Sequence, residues 1–112
     1  MSLFDAIQKN IIVDIHESEV NAPCCGMTPL LWVSVYNRLE IIEKLCVMGA
    51  NVNATNFAGW TPLHYTILNN NPKAVRLLCE RGAQTQIATH IGKTIWDMID
   101  DPLLLDALRT DS

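Results

Sequence analysis

The chain lacks the features that mark a membrane protein, a secreted protein or a nucleic-acid-binding protein. No apolar run reaches the ~18 residues that span a bilayer, and the first residues show no basic segment followed by an apolar stretch, so we expect no signal peptide. Only 18% of the 112 residues are charged, and the net charge is −4. The bases of residues 23–96 are scattered at helix-face spacing. We therefore expect neither a membrane nor a nucleic acid as the partner.

The motifs of catalysis and of metal binding are also missing. There is no glycine-rich phosphate loop followed by Lys-Ser or Lys-Thr, no Gly-x-Ser-x-Gly, and no nucleophile with a matched base. The adjacent Cys24 and Cys25 have poor spacing for a chelate, and no second pair follows. A plain turn is the simplest interpretation of this pair, with redox sensing as the alternative. We expect no enzyme activity, no cofactor and no metal.

The remaining cysteines indicate the compartment. Cys46 and Cys79 lie inside apolar helical stretches, where a cysteine acts as a small hydrophobic residue. Unpaired thiols are typical of a reducing compartment. We expect a cytoplasmic location, and delivery into the cytoplasm of a host cell is compatible with it. With 49% hydrophobic residues the chain has enough apolar material for one packed core.

What the chain does contain is a sequence repeat. The pentapeptide Gly-Met-Thr-Pro-Leu at Gly26 returns at Gly59 as Gly-Trp-Thr-Pro-Leu and, after the same interval, at Gly92 as Gly-Lys-Thr-Ile-Trp. Gly49 and Gly82, each followed by alanine, are separated by this interval too. A fixed period of this length, about 33 residues, is typical of a solenoid, in which each unit buries its apolar face against its neighbours.

The span 56–88 shows the physics of one unit. Thr61 is expected to cap a helix that starts at Pro62, and Asn71 a second helix that starts at Pro72. Gly82 suits the left-handed end of the second helix. The second helix carries an apolar stripe at helical spacing, formed by Ala74, Val75, Leu78 and Cys79. Residues 83–92 then form an extended connection to the next unit.

We predict one all-α domain over residues 1–112, a solenoid of stacked helix-turn-helix units joined by β-hairpin-like loops. Its full units are expected at 23–55 and 56–88, and its degenerate caps at 1–22 and 89–112. The last cap is expected to restart at Asp101-Pro102 with a helix that carries Leu104, Leu105 and Leu108. The polar close of residues 109–112 favours a complete solenoid.

The pattern resembles the ankyrin repeat family. The similarity lies in the period, in Gly-Trp-Thr-Pro-Leu-His at 59–64 and in Gly-Ala-Asn-Val-Asn-Ala at 49–54. The resemblance implies that His64 is structural, its imidazole linking the first helical turn to neighbouring backbone. It also implies a concave binding surface made by the hairpin tips and the outer ends of the first helices. The chain departs from the family pattern at Trp32, Tyr65 and Met98, where the family has leucine.

Apolar and aromatic side chains occupy the positions that the resemblance assigns to this surface. Such residues form the cores of protein interfaces, and an exposed apolar patch usually marks a contact site. We expect Tyr36, Phe57 and Trp60 to be the anchors. The alternative is that Phe57 and Trp60 stack on each other and stiffen the hairpins. The candidate partner-binding residues are Met27, Val35, Tyr36, Phe57, Trp60, Leu68, Asn69, His90, Ile91 and Lys93.

The sequence therefore favours a non-catalytic protein-binding module, either an adaptor or a stoichiometric inhibitor, whose partner is a protein. The alternative is self-association through the same apolar face, because two full units give a small core and solenoids need about three. We accordingly expect a monomer or a weak homodimer.

Overall fold

The computed structural model describes residues 18, 20–23, 26–99 and 101–108. Most of the predicted first cap, the Cys24-Cys25 pair, Asp100 and the polar close lie outside the described residues. Within residues 26–99 and 101–108, five α-helices and one 3₁₀ turn follow one another and no strand forms. They are α1 Pro29–Val35, α2 Leu39–Val47, α3 Pro62–Leu68, α4 Pro72–Glu80, the 3₁₀ turn Ile95–Asp97 and α5 Pro102–Leu108. The prediction of an all-α solenoid is confirmed.

The helices begin where the capping residues predict. The Thr28 and Thr61 hydroxyls accept from the amides of Leu31 and His64, and Pro29 and Pro62 fill the first helical positions. Asn71 caps α4 by accepting from the amide of Ala74 at 3.2 Å. Each cap satisfies an amide that the start of a helix leaves without an intrahelical partner.

The helices stack in two rows. The first helices of successive units, α1 and α3, pack side by side, and the 3₁₀ turn of the last unit packs against α3 in the same row. The second helices form the other row, α2 against α4 and α4 against α5. One continuous apolar core runs between the rows, and its fully buried members include Leu30, Ile42, Leu45, Leu63, Val75 and Leu78.

Asparagine side chains fasten each unit to the next. The Asn53 side chain accepts from the amide of Gln84 at 2.8 Å and donates to the carbonyl of Gly82 at 3.4 Å. Asn21 makes the same pair of bonds to the amide of Asn51 and the carbonyl of Gly49. The connections between units are therefore held in one register by a repeated two-point contact.

The last unit departs from the pattern. Its first helix is reduced to the 3₁₀ turn, and α5 begins at Pro102, three positions before the place where the period counted from Pro72 would put it. Leu104 and Ala107 are buried, whereas Leu105 is exposed and Leu108 half-buried. The predicted restart at Asp101 is confirmed, because its carboxylate accepts from the amide of Leu103 at 2.9 Å.

Candidate partner-binding surface

Two loops at the hairpin tips have the same hydrogen-bonded construction. In the first, the amide of Asn56 donates to the carbonyl of Trp60 at 3.1 Å, and the Asn56 side-chain oxygen accepts from the amide of Trp60 at 3.0 Å. In the second, the backbone amide of Thr89 donates to the carbonyl of Lys93 at 2.8 Å, and the Thr89 hydroxyl accepts from the backbone amide of Lys93 at 3.2 Å. Asn56 and Thr89 are both buried. Each tip is thus closed from the inside by one polar side chain.

The tips present apolar side chains to solvent. Phe57 is 82% exposed and Ile91 is 78% exposed. The two tips touch, because the amide of His90 donates to the carbonyl of Ala58 at 2.9 Å. His90 and Lys93 are exposed beside Ile91. We call Phe57, His90, Ile91 and Lys93 the tip surface.

Trp60 is folded back onto the helix that follows it. Its ring lies 4.9 Å from that of Tyr65 and 5.7 Å from that of His64, measured between centroids. Trp60 immediately precedes the cap of α3 and Tyr65 is the fourth helical residue, which is the arrangement of a hydrophobic staple. Phe57 is too exposed to stack on it, so the stacking alternative does not describe this pair. Trp60 is half-buried, and its ring packs on α3 beside the tip surface.

Met27 does not belong to an exposed surface. It occupies the position of Trp60 in the preceding unit, next to the cap of α1, and only 8% of it is exposed. The expectation that Met27 contacts a partner is therefore corrected. A residue that precedes a helix cap packs inward against the helix, and a flexible thioether fills such a gap readily.

A second group of predicted residues lies at the other end of the first helices, which are seven residues or about 10 Å long. The side-chain Nδ2 of Asn69 donates to the carbonyl of Ser34 at 2.7 Å and so ties the end of α3 to the end of α1. Leu68 is exposed there, and it borders an open depression of about 300 Å³. Val35, Tyr36, Leu68 and Asn69 form what we call the helix-end surface.

Sequence reasoning missed the residues between these two surfaces. Trp32, Tyr65 and Met98 stand at equivalent positions of successive units and are all half-buried. The rings of Trp32 and Tyr36 stack at 6.1 Å. The Tyr65 hydroxyl accepts from the side-chain Nδ2 of Asn56 at 2.6 Å, and burial raises the pKa of Tyr65. In all three units this position departs from the leucine of the family pattern. That shared departure is the sequence signal that the three residues form a row.

His64 has the structural role that the resemblance implies. Its Nδ1 accepts from the backbone amide of Thr61 at 3.1 Å, and its Nε2 lies 3.4 Å from the carbonyl of Lys93. Since Nδ1 is an acceptor, the proton resides on Nε2, which points at that carbonyl. Burial lowers the pKa of His64, and the hydrogen bonds to the carbonyls of Lys93 and Ile87 oppose this. The neutral ring joins α3 to the next tip.

The described residues were also searched for a reactive thiol, a metal-binding cluster and a membrane-spanning helix. Cys46 is buried, and burial raises the pKa of its thiol, so that it remains an apolar side chain. Across the described ranges, no three histidine, cysteine or acidic side chains gather as they would around a metal ion. The same ranges contain no helix that is both long and apolar enough to cross a bilayer.

Comparison with known proteins agrees with this geometry. A family described as "Ankyrin repeats (3 copies)" matches residues 3–89. The chain belongs to the ankyrin repeat family. Ankyrin repeats generally mediate protein–protein interaction. The crystal structure of the ankyrin repeat domain of Bcl-3 superposes with a TM-score of 0.82 at 24% identity, over 96% of this chain and 50% of that chain.

Curated ankyrin relatives are much longer proteins. The E3 ubiquitin-protein ligase hecd-1 of Caenorhabditis elegans is 35% identical over 102 residues, which are 85% of this chain and 4% of the ligase. Protein phosphatase 1 regulatory subunit 12A of Mus musculus is 28% identical over 80% of this chain and 9% of that subunit. A putative ankyrin repeat protein, FPV034 of fowlpox virus, is 44% identical over 43% of this chain and 12% of its own length. This ankyrin repeat chain therefore spans only a small part of the relatives it matches.

Proposed function

We propose that this chain is a protein-binding module that acts as an adaptor or a stoichiometric inhibitor through its tip surface and helix-end surface. The observation that carries the proposal is the exposure of Phe57 and Ile91 on two touching tips. Large apolar side chains that contribute nothing to the core are available for a pocket on a partner.

The construction of the tips supports tight binding. Buried Asn56 and Thr89 hold both loops through several hydrogen bonds each, so the anchors are presented by ordered backbone. Little conformational entropy is then lost when a partner binds, and more of the contact free energy appears as affinity. Lys93 at the rim favours a partner with an acidic residue beside its apolar pocket. One relative is named as a regulatory subunit, which accords with an adaptor role.

The proposal is tested with the double variant Phe57→Ala/Ile91→Ala in a pull-down from a lysate of the source cells, read by mass spectrometry. We expect a protein that wild type retains and the variant loses. The dissociation constant of that protein, purified, should rise more than tenfold in the variant, which is the scale of interface hot spots. Both changed side chains are exposed, so the thermal midpoint should not move.

Val47→Ala is the matched control, since Val47 is an exposed apolar side chain at the end of α2 and away from the tips. Equal loss of the protein with Val47→Ala and with the double variant would contradict the proposal. The Trp60→Ala change is a poorer probe, because the ring of Trp60 packs on Tyr65 and its loss lowers stability as well. A reducing, cytoplasmic environment is the setting we propose for this interaction.

Self-association through the same surface stays a prediction with a simple measurement. Sedimentation equilibrium at up to about 100 µM distinguishes a monomer from a concentration-dependent dimer. A dimer that Phe57→Ala/Ile91→Ala abolishes would replace the proposed partner by a second copy of the chain.

A further inference from the structure

Charged side chains are segregated within the two full units. All of them lie in the ranges 38–44 and 73–81, which belong to α2, α4 and the ends of these helices. The ranges 23–37 and 49–72, which include α1 and α3, contain no lysine, arginine, aspartate or glutamate. The row of first helices and the turns that lead into them are therefore built without ionised side chains.

This distribution leaves the surface between the tips and the helix ends without charge. We call the exposed and half-buried side chains of this surface the uncharged face; they are Trp32, Val35, Tyr36, Phe57, Trp60, Tyr65, Leu68 and Asn69. Depletion of charged residues together with enrichment of aromatic residues distinguishes the core of a protein interface from the remaining surface. The composition thus supports a contact surface and also restricts what can lie on it.

The uncharged face is continuous along the first helices. The rings of Trp60 and Tyr65 lie 4.9 Å apart, and those of Trp32 and Tyr36 lie 6.1 Å apart. Because α1 and α3 pack side by side, these two ring pairs connect the tips with the helix-end surface. A partner segment that lies across both surfaces must also cover the rings between them.

Lys93 stands at the edge of the uncharged face, on the neighbouring tip. Its side chain is exposed, and its carbonyl lies 3.4 Å from Nε2 of His64, whose ring is 5.7 Å from that of Trp60. Asp97, the acidic residue nearest to Lys93 in sequence, accepts from the amide and the hydroxyl of Thr94 at 3.0 and 3.3 Å. That carboxylate serves the cap of the 3₁₀ turn, so a positive charge borders the part of the face that contains Trp60.

The two features select different chemistry in a partner. A charged group that is buried on the uncharged face loses water and gains no counterion, which is unfavourable, whereas an apolar group is favoured there. At Lys93 the preference is reversed, because an ammonium group that a partner covers needs a carboxylate to replace its water.

We infer that the uncharged face binds a segment of the partner protein that carries a single charge, a carboxylate that pairs with Lys93. The inference rests on the proposed function, because it names the partner chemistry for the same surfaces. Lys93 is then the residue that determines specificity and sets the register of the segment on the face.

The test uses short biotinylated peptides of one length with capped ends. The parent contains only leucine, phenylalanine, serine and glutamine, and each derivative carries one glutamate or one lysine at a single position. Binding of the purified chain is measured by biolayer interferometry. We expect glutamate at one position to raise the affinity at least about tenfold over the parent, as for a close charge pair, and lysine at that position to lower it. A second glutamate elsewhere should weaken the best peptide, since it meets no counterion.

Variants locate the charge pair on the chain. Lys93→Gln should reduce the best glutamate peptide to the affinity of the parent, and Lys93→Arg should keep the preference for glutamate. Lys93→Glu should transfer the preference to the lysine peptide. Lys73→Gln is the matched control, because it removes an exposed lysine of α4 outside the uncharged face, and it should bind as wild type. Lys93 and Lys73 are both exposed, and circular dichroism checks that each variant is folded.

Four results would overturn the inference. The glutamate and lysine peptides could bind equally, or the preference for glutamate could persist in Lys93→Gln. Peptides with several glutamates could bind more tightly than the best single one, which would make the occupant an acidic segment. Finally, none of the peptides could bind.

The proposed function is decided separately. If charge has no effect but Phe57→Ala weakens the parent peptide, the inference fails and the binding role of the tip surface stands. If wild type and Phe57→Ala/Ile91→Ala bind the parent peptide equally, the result counts against both. If no peptide binds, the pull-down with the double variant still tests the proposed function.

Discussion

The middle unit, 56–88, and the last described unit, 89–108, start with the same turn and diverge in the helices that follow. Both turns close through a buried polar residue, and both place a glycine at φ +82° before the helix start. The middle unit then forms two full helices, whereas the last unit forms a 3₁₀ turn and a helix that starts three positions early. The turn is thus determined locally, and the helices depend on what packs against them.

The same contrast governs burial. The apolar stripe of α4 is covered on both sides, by α2 and by α5, whereas α5 packs mainly on α4 among the described helices. A leucine on α4 and a leucine at the matching position of α5 therefore differ in environment although they are the same residue in the same register. We therefore expect a leucine truncation on α4 to lower the free energy of unfolding more than the matching truncation on α5.

Truncating matched leucines gives the largest expected contrast. Leu78 is fully buried, so Leu78→Ala should lower the free energy of unfolding by about 2–5 kcal/mol as a core cavity. Leu108, its counterpart on α5, is half-buried, so Leu108→Ala should cost about 1 kcal/mol. Urea denaturation measures both. Equal costs would mean that α5 is covered as completely as α4.

Sequence reasoning predicted the elements whose physics is local. Thr28, Thr61 and Asn71 cap helices where their spacing from proline indicated, and Gly49 and Gly82 take positive φ after α2 and α4. The imidazole of His64 makes the predicted contacts, because the Thr-Pro-Leu-His pattern fixes it three residues after the cap. These outcomes depend on residues within one or two turns of each other.

Contacts between units were harder to predict. Met27 was assigned to a surface because it is large and near a tip, but only 8% of it is exposed. Trp60, at the matching position, packs on Tyr65 and is half-buried, and its contact with a partner stays a prediction. The repeat pattern likewise does not encode the exposure of Trp96 and Leu105 in the last unit. The exposure of a side chain depends on which units pack against it, whereas the capping of a helix depends on residues of the same short segment.

The two tip glycines provide a second matched pair. A Cβ at Gly59 would lie 2.8 Å from Cδ2 of His90 and 3.0 Å from its backbone nitrogen, whereas a Cβ at Gly92 meets nothing within 4 Å. Both substitutions suffer the strain of positive φ, about 1 kcal/mol. Gly59→Ala additionally forces the tips apart and strains the bond from His90 to Ala58, so its total cost should reach about 2–3 kcal/mol.

Thermal unfolding monitored by circular dichroism compares the two glycine variants. The midpoint of Gly59→Ala should fall clearly below that of Gly92→Ala, and the latter slightly below wild type. A result in which Gly92→Ala is the less stable protein would show that the second tip, not the contact between tips, limits stability.

The smallest expected effect concerns the helix caps, where His64 in the middle unit corresponds to Asp97 in the last. Asp97 accepts from the amide of Thr94 at 3.0 Å from an exposed position, whereas His64 makes its cap while fully buried. Burial holds the pKa of His64 below its ordinary value, so near and below pH 6.5, about the ordinary pKa, the unfolded chain binds the proton more readily than the folded one. Stability contributed by the neutral ring is complete above this pH and is lost as the pH falls.

Urea unfolding at pH 7.5 and at pH 5.5 measures this effect. Wild type should be less stable at the lower pH, because protonated Nδ1 no longer accepts from the amide of Thr61. In His64→Gln the overall stability falls, but the difference between the two pH values should shrink. The two proteins differ only at residue 64, so the comparison isolates the contribution of this side chain. An unchanged pH difference in His64→Gln would assign the proton uptake to a group other than the imidazole of His64.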